Sequence, residues 1–169
     1  RHNIGFRIVD AFAKAGAVSF HAGRYASVAE VKVKSKIFIL IKPSTFMNLS
    51  GKAVNYWMQA EKIPFEKILV VTDDIALPLG TLRMRSKGSD GGHNGLKNIN
   101  EMLNEQHYAR LRFGVGNEFS KGRQVDYVLG EWNDEEKKVL PKRIDLACEM
   151  IKNFGLVGVE KTMSLYNGK

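Results

Sequence analysis

The sequence contains a single cysteine and no long hydrophobic run. One thiol, Cys148, cannot form an internal disulfide, and this fits a reducing compartment such as the cytoplasm. No stretch approaches the ~18–20 apolar residues that span a bilayer, and no signal peptide is visible, so a membrane location is not expected. Cys148 falls on a helical stripe with Ile144 and Ile151. We therefore predict that it is a small core residue rather than a nucleophile.

Three kinds of catalytic apparatus are also missing from the sequence. No serine occupies a Gly-x-Ser-x-Gly turn, so a covalent acyl-enzyme has no evident nucleophile. The glycine-rich loop 88–97 is not a nucleoside-triphosphate cradle, because Gly95 is followed by Leu96 rather than by Lys and then Ser or Thr. The histidines and the cysteine are scattered without metal-ligand spacing such as His-Glu-x-x-His. The sequence therefore predicts neither a metal nor another cofactor.

Size and charge favour one domain with an anionic partner. The chain has 169 residues, of which 44% are hydrophobic, and this is enough for a single domain over 1–169 with a sizeable core. The formal net charge is +8, which favours a nucleic-acid partner, although a basic surface without a partner is the alternative. No interface-like apolar surface stands out, and we expect a monomer.

Hydrophobic periodicity predicts strands that alternate with helices. Helices are predicted at 4–15, 49–60, 96–103, 134–153 and 157–165, and strands at 28–33, 37–41, 68–71, 81–87 and 108–116. The strands at 37–41 and 68–71 are apolar throughout and are predicted to be buried. This order predicts an α/β fold of three layers, α/β/α, with a twisted mixed sheet covered by helices on both faces.

Polar side chains follow the predicted strands in three loops, 42–48, 72–78 and 88–95. Ligands of such sheets bind outside the carboxyl ends of the strands, so a site is predicted where these loops meet. In the third loop, glycines bracket His93 and Asn94 and allow a bound group to approach the backbone closely. The alternative is a helix entry in which Asn94 is only the N-cap residue.

Several multi-residue motifs occur in a fixed order along the chain. They are Arg1-His2-Asn3, Thr45-Phe46-Met47-Asn48-Leu49-Ser50-Gly51, Asp73-Asp74 with Leu77-Pro78-Leu79-Gly80, Gly91-Gly92-His93-Asn94-Gly95-Leu96-Lys97, Arg110-Leu111-Arg112-Phe113-Gly114-Val115-Gly116 and Val128-Leu129-Gly130. Together they cover nearly the whole chain and resemble bacterial-type peptidyl-tRNA hydrolase. Members of that family hydrolyse the ester between a peptide and the terminal ribose of tRNA, which recycles peptidyl-tRNA lost from stalled ribosomes.

The resemblance implies four catalytic residues. His2 matches the histidine that takes a proton from the attacking water, a role that suits an imidazole at neutral pH. Asp73 matches the carboxylate beside this histidine, where a hydrogen bond would fix the imidazole tautomer. Asn48 and Asn94 match two asparagines whose amides can hold the water, the developing oxyanion or the peptide backbone. From the residues alone, His2 could be a solvated histidine at a helix start, the asparagines could be helix caps, and either Asp73 or Asp74 could be the site carboxylate.

The resemblance also implies a set of substrate-binding residues. They are Phe46, Met47, His93, Arg83, Arg85, Lys97 and Arg112. Met47 and His93 match residues that line the crevice, and an exposed methionine gives an adaptable apolar wall for peptides of varied sequence. Arg83 and Arg85 fall where the family has a basic clamp for the 5′-terminal phosphate of tRNA. Arginines at i and i+2 of a strand point the same way and can hold phosphate oxygens bidentately.

One departure from the family and two other functions bear on this interpretation. The family's N-terminal strand and its Gly-Asn-Pro-Gly loop precede the Arg-His-Asn motif and are absent, so we expect the domain to be N-terminally incomplete. A non-catalytic RNA-binding protein on the same fold, of the type that plants use in organellar intron splicing, would keep the basic strand. An esterase for small uncharged substrates would leave the charge of +8 unexplained.

Overall fold

Helices and strands alternate along the chain in the computed structural model, which describes residues 3–46, 49–117 and 124–169. In chain order they are α1 (Ile4–Ala15), β1 (His21–Gly23), β2 (Ala26–Val33), β3 (Lys36–Pro43), α2 (Ser50–Ala60), β4 (Leu69–Asp74), β5 (Leu82–Arg85), α3 (Asn94–Leu103), β6 (Ala109–Gly114), α4 (Gln124–Leu129), α5 (Asp134–Val157) and α6 (Val159–Tyr166). A short 3-10 turn, Phe65–Lys67, precedes β4. Periodicity predicts all of these except β1, α4 and the turn, which are too short to show a period.

The strands form two three-stranded sheets where the sequence predicts one. In the first sheet the order is β1-β2-β3, and both pairs are antiparallel. In the second the order is β4-β6-β5, with β4 parallel and β5 antiparallel to β6. The second sheet is therefore mixed, as predicted. Because β4 and β5 flank β6, the Asp73 end of β4 and the arginines of β5 belong to the same small sheet.

Helices cover both faces of the second sheet. On one face Val71 and Leu111 join the larger core, in which Ile8 of α1 and Ile144 of α5 are buried. On the other face Val70 packs into a smaller core formed with α2 and α3. Successive residues of β4 thus contact different helices, as the two-residue period of a strand requires. This arrangement confirms the predicted α/β/α layers.

An apolar groove of about 960 Å³ separates the two sheets. Its walls include β3 and β4, and Thr72, Asp73 and His93 also line it. The groove explains why β3 is less buried than its apolar sequence predicts, since Leu40 is buried but Ile37 is 62% exposed. Leu40 is the one buried residue of β3, and this strand, which is predicted to be buried, is therefore mostly half-buried in the structure.

The start of α1 lies close against β4 because residue 5 is glycine. A Cβ atom on Gly5 would lie 2.7 Å from the carbonyl oxygen of Val71, closer than such atoms approach one another. The first turn of α1 is therefore fixed beside the carboxyl end of β4. This contact places the polar residues that follow Val71 next to the N-terminal end of α1.

The longest described helix, α5, begins with a capping box. The Asn133 side chain accepts a hydrogen bond from the Glu136 backbone N–H at 2.8 Å, and the Glu136 carboxylate accepts one from the Asn133 N–H at 2.9 Å. Glu136 and two further acidic residues, Asp134 and Glu135, also lie at the positive end of the helix dipole. None of the described helices is both long and apolar enough to cross a membrane.

Candidate functional site

Asp73 and His93 meet at the carboxyl end of β4. The Nε2 atom of His93 lies 2.7 Å from Oδ1 of Asp73. The side chains of His93 and Asp73 are only 11% and 3% exposed, so water competes weakly for their hydrogen bond. The sequence predicts His93 as a residue that lines the crevice, and the structure shows that it also holds the predicted catalytic carboxylate. The predicted contact between Asp73 and His2 lies outside the described residues.

His93 also caps α3. Its Nδ1 atom accepts hydrogen bonds from the backbone N–H groups of Gly95 and Leu96, at 3.0 and 3.3 Å. Because Nδ1 is an acceptor, the neutral ring carries its proton on Nε2 and donates it toward Asp73. The interpretation of Asn94 as the N-cap is therefore wrong, since the cap is His93. Asn94 is the first residue of the helix and is exposed at the end of the glycine-rich loop.

Thr72 is a third member of this group, and sequence reasoning missed it. Its Oγ1 atom lies 2.8 Å from Nε2 of His93, and its hydroxyl donates to the carbonyl oxygen of Asp73 at 3.3 Å. The Nε2 proton is thus shared between the Asp73 carboxylate and the Thr72 hydroxyl oxygen. Threonine is common in strands, so a threonine at this position gives no sequence signal of a site.

Asp74 follows Asp73 but has different partners. Its Oδ1 atom accepts a hydrogen bond from the Ala76 N–H at 2.8 Å, which is an Asx turn. Its Oδ2 atom lies 3.2 Å from the guanidinium of Arg112. These contacts make Asp74 a turn residue. Of the two aspartates that could be the site carboxylate, Asp73 is the one beside His93.

Two arginines hold the glycine-rich loop in place. The carbonyl oxygen of Ser89 accepts hydrogen bonds from Arg110 at 3.2 Å and from Arg112 at 3.1 Å. Arg110 is fully buried, with its guanidinium 4.4 Å from the centroid of the Tyr108 ring. This burial lowers the pKa of Arg110. The alternation in 108–116 predicts a polar face for this strand, but the 86–92 loop covers that face and turns Arg110 into a structural residue.

Three of the four predicted cations lie on one face of the second sheet. In the β5–β6 register Arg83 is opposite Arg112, and Arg85 is opposite Arg110. Arg83 is exposed and Arg85 is half-buried, while Lys97 is exposed on α3. Arg112 differs from the others because its guanidinium already contacts a carboxylate and a carbonyl group of the protein. The register thus places the three arginines on one face of the second sheet, where Arg83 is the most exposed.

The loop that leads into α2 carries Phe46, another predicted site residue. Phe46 in this loop is 80% exposed. The N–H of Gly51 donates to the Asn98 side chain at 2.7 Å, which fixes the start of α2 against α3, one turn beyond Asn94. Three predicted site residues lie outside the described residues: His2, Met47 and Asn48.

The described part of the site is suited to proton transfer and to hydrogen bonding. It offers a carboxylate, an exposed amide, a shielded imidazole and an apolar groove beside them. Within residues 3–46, 49–117 and 124–169, no three His, Cys, Asp or Glu side chains are grouped as metal ligands.

Comparison with known proteins gives a match along the whole chain. The family model described as peptidyl-tRNA hydrolase matches residues 1–169. Proteins of that name from Porphyromonas gingivalis and Phocaeicola vulgatus are 58% and 56% identical, over 99% and 100% of this chain and 90% of each relative. A relative of the same name from Chlorobaculum tepidum is 42% identical over 100% of this chain and 90% of its own length.

Solved structures agree with the sequence comparisons. The crystal structure of peptidyl-tRNA hydrolase from Acinetobacter baumannii has a TM-score of 0.93 and 29% identity, over 99% of this chain and 86% of that one. A complex of peptidyl-tRNA hydrolase with N-propanol has a TM-score of 0.91 and 28% identity, over 100% of this chain and 88% of that one. The similarity therefore spans the two sheets, their helices and the candidate site.

Proposed function

Because the chain belongs to the peptidyl-tRNA hydrolase family, we propose that it adds water to the ester of peptidyl-tRNA and releases free peptide and tRNA. The ester is the one that joins the peptide to the terminal ribose. Water attacks the carbonyl carbon, the bond to the ribose oxygen breaks, and that oxygen leaves with a proton as a hydroxyl group.

His2 is the general base in this proposal. It takes a proton from the attacking water, and Asp73 stabilises the imidazolium that forms. Asn48 and Asn94 hold the water or the developing oxyanion through their amide groups. The geometry around Asp73 supports this assignment, because the Nε2 proton of His93, which the Thr72 hydroxyl oxygen also accepts, holds the Asp73 carboxylate in place.

The substrate is divided between two parts of the site. Arg83 and Arg85 bind the terminal phosphate of the acceptor stem, with Lys97 and Arg112 contributing positive charge nearby. Phe46, Met47 and His93 line the crevice for the peptide. The β5–β6 register supports the first assignment, since it places the arginines on one face of the second sheet.

The single observation that carries the proposal is the Asp73–His93 hydrogen bond at the start of α3. It joins two predicted site residues that are 20 positions apart in the sequence. Asn94 follows directly and is exposed beside them. The hydrogen bond thus holds the Asp73 carboxylate, which the proposal pairs with His2, beside the Asn94 amide.

Peptide release from an N-acyl-aminoacyl-tRNA tests the proposal. Wild type is compared with His2→Ala, and binding of deacylated tRNA is measured for both. We expect release to fall by more than about 100-fold in His2→Ala, since general bases contribute roughly that much or more, while tRNA binding is retained. Equal release by the two proteins would contradict the role of His2. Binding without release by wild type would contradict the hydrolase.

The non-catalytic alternative receives no support from the comparisons, because the relatives and solved structures described above are all named as hydrolases. The small-substrate esterase leaves the family match unexplained. Within the proposal the protein acts as a monomer in the cytoplasm, where peptidyl-tRNA is produced by translation. The free thiol of Cys148 is compatible with this compartment.

A further inference from the structure

A cluster of cationic and aromatic side chains lies at the turn between β1 and β2. The Arg24 guanidinium is 5.3 Å from the ring centroid of Tyr25 and 5.4 Å from that of Tyr56. The Nζ atom of Lys52 is 5.1 Å from the Tyr25 centroid. These distances are within the range of cation–π contacts. We call Arg24, Tyr25, Lys52 and Tyr56 the Arg24 surface.

The Arg24 surface is held in place by its backbone. Tyr25 has a φ of 64°, in the left-handed region, and its carbonyl oxygen accepts a hydrogen bond from the Ser44 N–H at 2.8 Å. The carbonyl oxygen of Arg24 accepts one from the indole Nε1–H of Trp57 at 2.7 Å. The turn is thus tied both to the loop after β3 and to α2. Because the turn is already ordered, it loses less conformational entropy when a ligand binds.

The positive charge of the Arg24 surface is available to a ligand. Arg24 and Lys52 are exposed, and neither has a carboxylate within 4 Å among the described residues. The two cations stabilise negative charge at Tyr25. The pKa of Tyr25 is lowered by a hydrogen bond from Arg24, by the charge of Arg24 and by the charge of Lys52. An anionic group that approaches these rings therefore meets two cations without a competing acidic side chain from the described part of the chain.

The position of this surface indicates which part of a substrate it faces. The first residue of β2, Ala26, pairs with Pro43 at the carboxyl end of β3. The β1–β2 turn therefore lies at the end of the first sheet from which the loop with Phe46 leaves. In the second sheet, β6 lies between β4 and β5, so β6 separates the β5 arginines from Asp73 in β4. A groove lined by β3 and β4 separates Asp73 from the first sheet, which carries the turn of the Arg24 surface. A substrate whose phosphate is at β5 and whose ester is at Asp73 extends its acyl side toward the Arg24 surface.

We propose that the Arg24 surface is a subsite for the peptide part of the substrate and that it favours peptides with an Asp or Glu side chain near the ester. This inference rests on the proposed function, which sets the direction of the substrate. The planar guanidinium can hold a carboxylate bidentately, and the two tyrosine rings can cover the methylene groups behind it. Among the described residues, no carboxylate forms an ion pair with Arg24 or Lys52.

The experiment uses three peptidyl-tRNAs that share one tRNA and one esterified amino acid. They differ only in the next residues of the peptide, which are Asp, Ala or Lys. Because every tRNA contact cancels in the ratio, kcat/KM for the Asp peptide over the Lys peptide reports the subsite alone. We expect a ratio of about three to five at low ionic strength, typical of exposed charge pairs, and a ratio near one at high ionic strength.

Two double variants distinguish loss of the subsite from a general effect of lowering the net charge of the protein. Arg24→Gln/Lys52→Gln should abolish the preference for Asp over Lys and keep turnover of the Ala peptide. Lys32→Gln/Lys34→Gln removes the same charge at the opposite end of β2, where both lysines are exposed, and should keep the preference.

Several results would overturn the subsite. Equal kcat/KM for the Asp and Lys peptides with wild type would show that the Arg24 surface does not discriminate between peptide side chains. An equal loss for all three substrates in Arg24→Gln/Lys52→Gln, with weaker binding of deacylated tRNA, would make the surface an RNA contact instead. Absence of turnover with all three would contradict the proposed function, and the Asp to Lys ratio in equilibrium binding would then decide the subsite.

Discussion

At the scale of single residues, His93 uses its two ring nitrogens for different purposes. Nδ1 accepts the backbone N–H groups at the start of α3, and Nε2 donates to Asp73. The sequence motif predicts that His93 belongs to the site but not how, because a histidine between glycines and an asparagine gives no hydrogen-bond pattern. The capping role could not be predicted, since asparagine is the better known N-cap residue and Asn94 stands next to it.

The substitution His93→Asn separates these two roles. An asparagine side chain can still cap α3 but is too short to reach Asp73, so we expect a loss of roughly 1–3 kcal/mol of stability, which is less than in His93→Ala. Peptide release should fall by more than about tenfold, because the carboxylate loses its donor. His93→Ala is the control that removes both contacts and should lose stability as well as activity. Urea unfolding and peptide release distinguish the cases, and full activity of His93→Asn would refute the role of this hydrogen bond.

Cys148 gives a residue-scale prediction about pH. Burial, with a smaller effect of the Asp145 charge, raises the pKa of its thiol from 9.0 to about 11. The thiolate is therefore less favoured in the folded protein than in the unfolded chain. Stability from this group is complete below pH 9 and is lost as the pH rises toward about 11, because the unfolded state then binds fewer protons.

Urea unfolding of wild type and Cys148→Ala at pH 8 and pH 10 measures this effect. Subtracting the two proteins removes the contribution of lysines and tyrosines that titrate in the same range. We expect the alkaline loss of stability to be smaller in Cys148→Ala. An identical loss in both would show that the thiol is as accessible as in the unfolded chain, against its contact with the carbonyl oxygen of Ile8.

At the scale of elements, β5 carries the predicted phosphate-binding arginines on an outer strand of its sheet. The Asn167 side chain lies against this strand and makes two hydrogen bonds to Met84, which separates Arg83 from Arg85. It accepts from the Met84 N–H at 2.9 Å and donates to the Met84 carbonyl oxygen at 3.0 Å. One amide side chain thus reproduces the bonding of a neighbouring strand and protects the edge.

The substitution Asn167→Ala tests this edge contact. We expect the Met84 amide to exchange about tenfold faster, since the loss of such hydrogen bonds corresponds to roughly 1–1.5 kcal/mol. The amide of Leu111, which lies in the central strand β6, serves as the internal control and should keep its protection. Unchanged exchange at Met84 would show that another group protects this strand.

Sequence periodicity predicts most of these elements for a physical reason. Amphipathic helices such as α1 and strands such as β6 repeat apolar residues at their own period, and this pattern is local. The burial of Arg110 is not local, because it depends on a loop that folds back over β6. The exposure of Ile37 likewise depends on the groove between the sheets. Neither could be predicted from the residues of the strand alone.

At the scale of the whole molecule, the most distinctive property is the formal net charge of +8. Two cationic regions of the described residues are the arginines of β5 and the Arg24 surface. The composition predicts an anionic partner, and the family match identifies the class of substrate. Composition alone could not predict where the charge lies, because that depends on which strands become neighbours.

The salt dependence of tRNA binding tests the arginines of β5. Removal of two phosphate contacts in Arg83→Gln/Arg85→Gln should reduce the slope of log K against log salt by about 1 to 2, because fewer counterions are released. The charge-matched variant Lys32→Gln/Lys34→Gln should change the slope much less. Equal slopes in the two double variants would mean that only the total charge of the protein matters.

The central claim, that Asp73 is the catalytic carboxylate of a peptidyl-tRNA hydrolase, is tested most directly by kcat/KM for peptide release in Asp73→Asn and Asp74→Asn. The substitutions are isosteric and remove one charge from adjacent residues, so each is the control for the other. Because Asp73 contacts His93, we predict that kcat/KM falls by about 100-fold or more in Asp73→Asn. We predict that it falls by less than about fivefold in Asp74→Asn. A larger loss in Asp74→Asn, with both variants folded, would contradict the account.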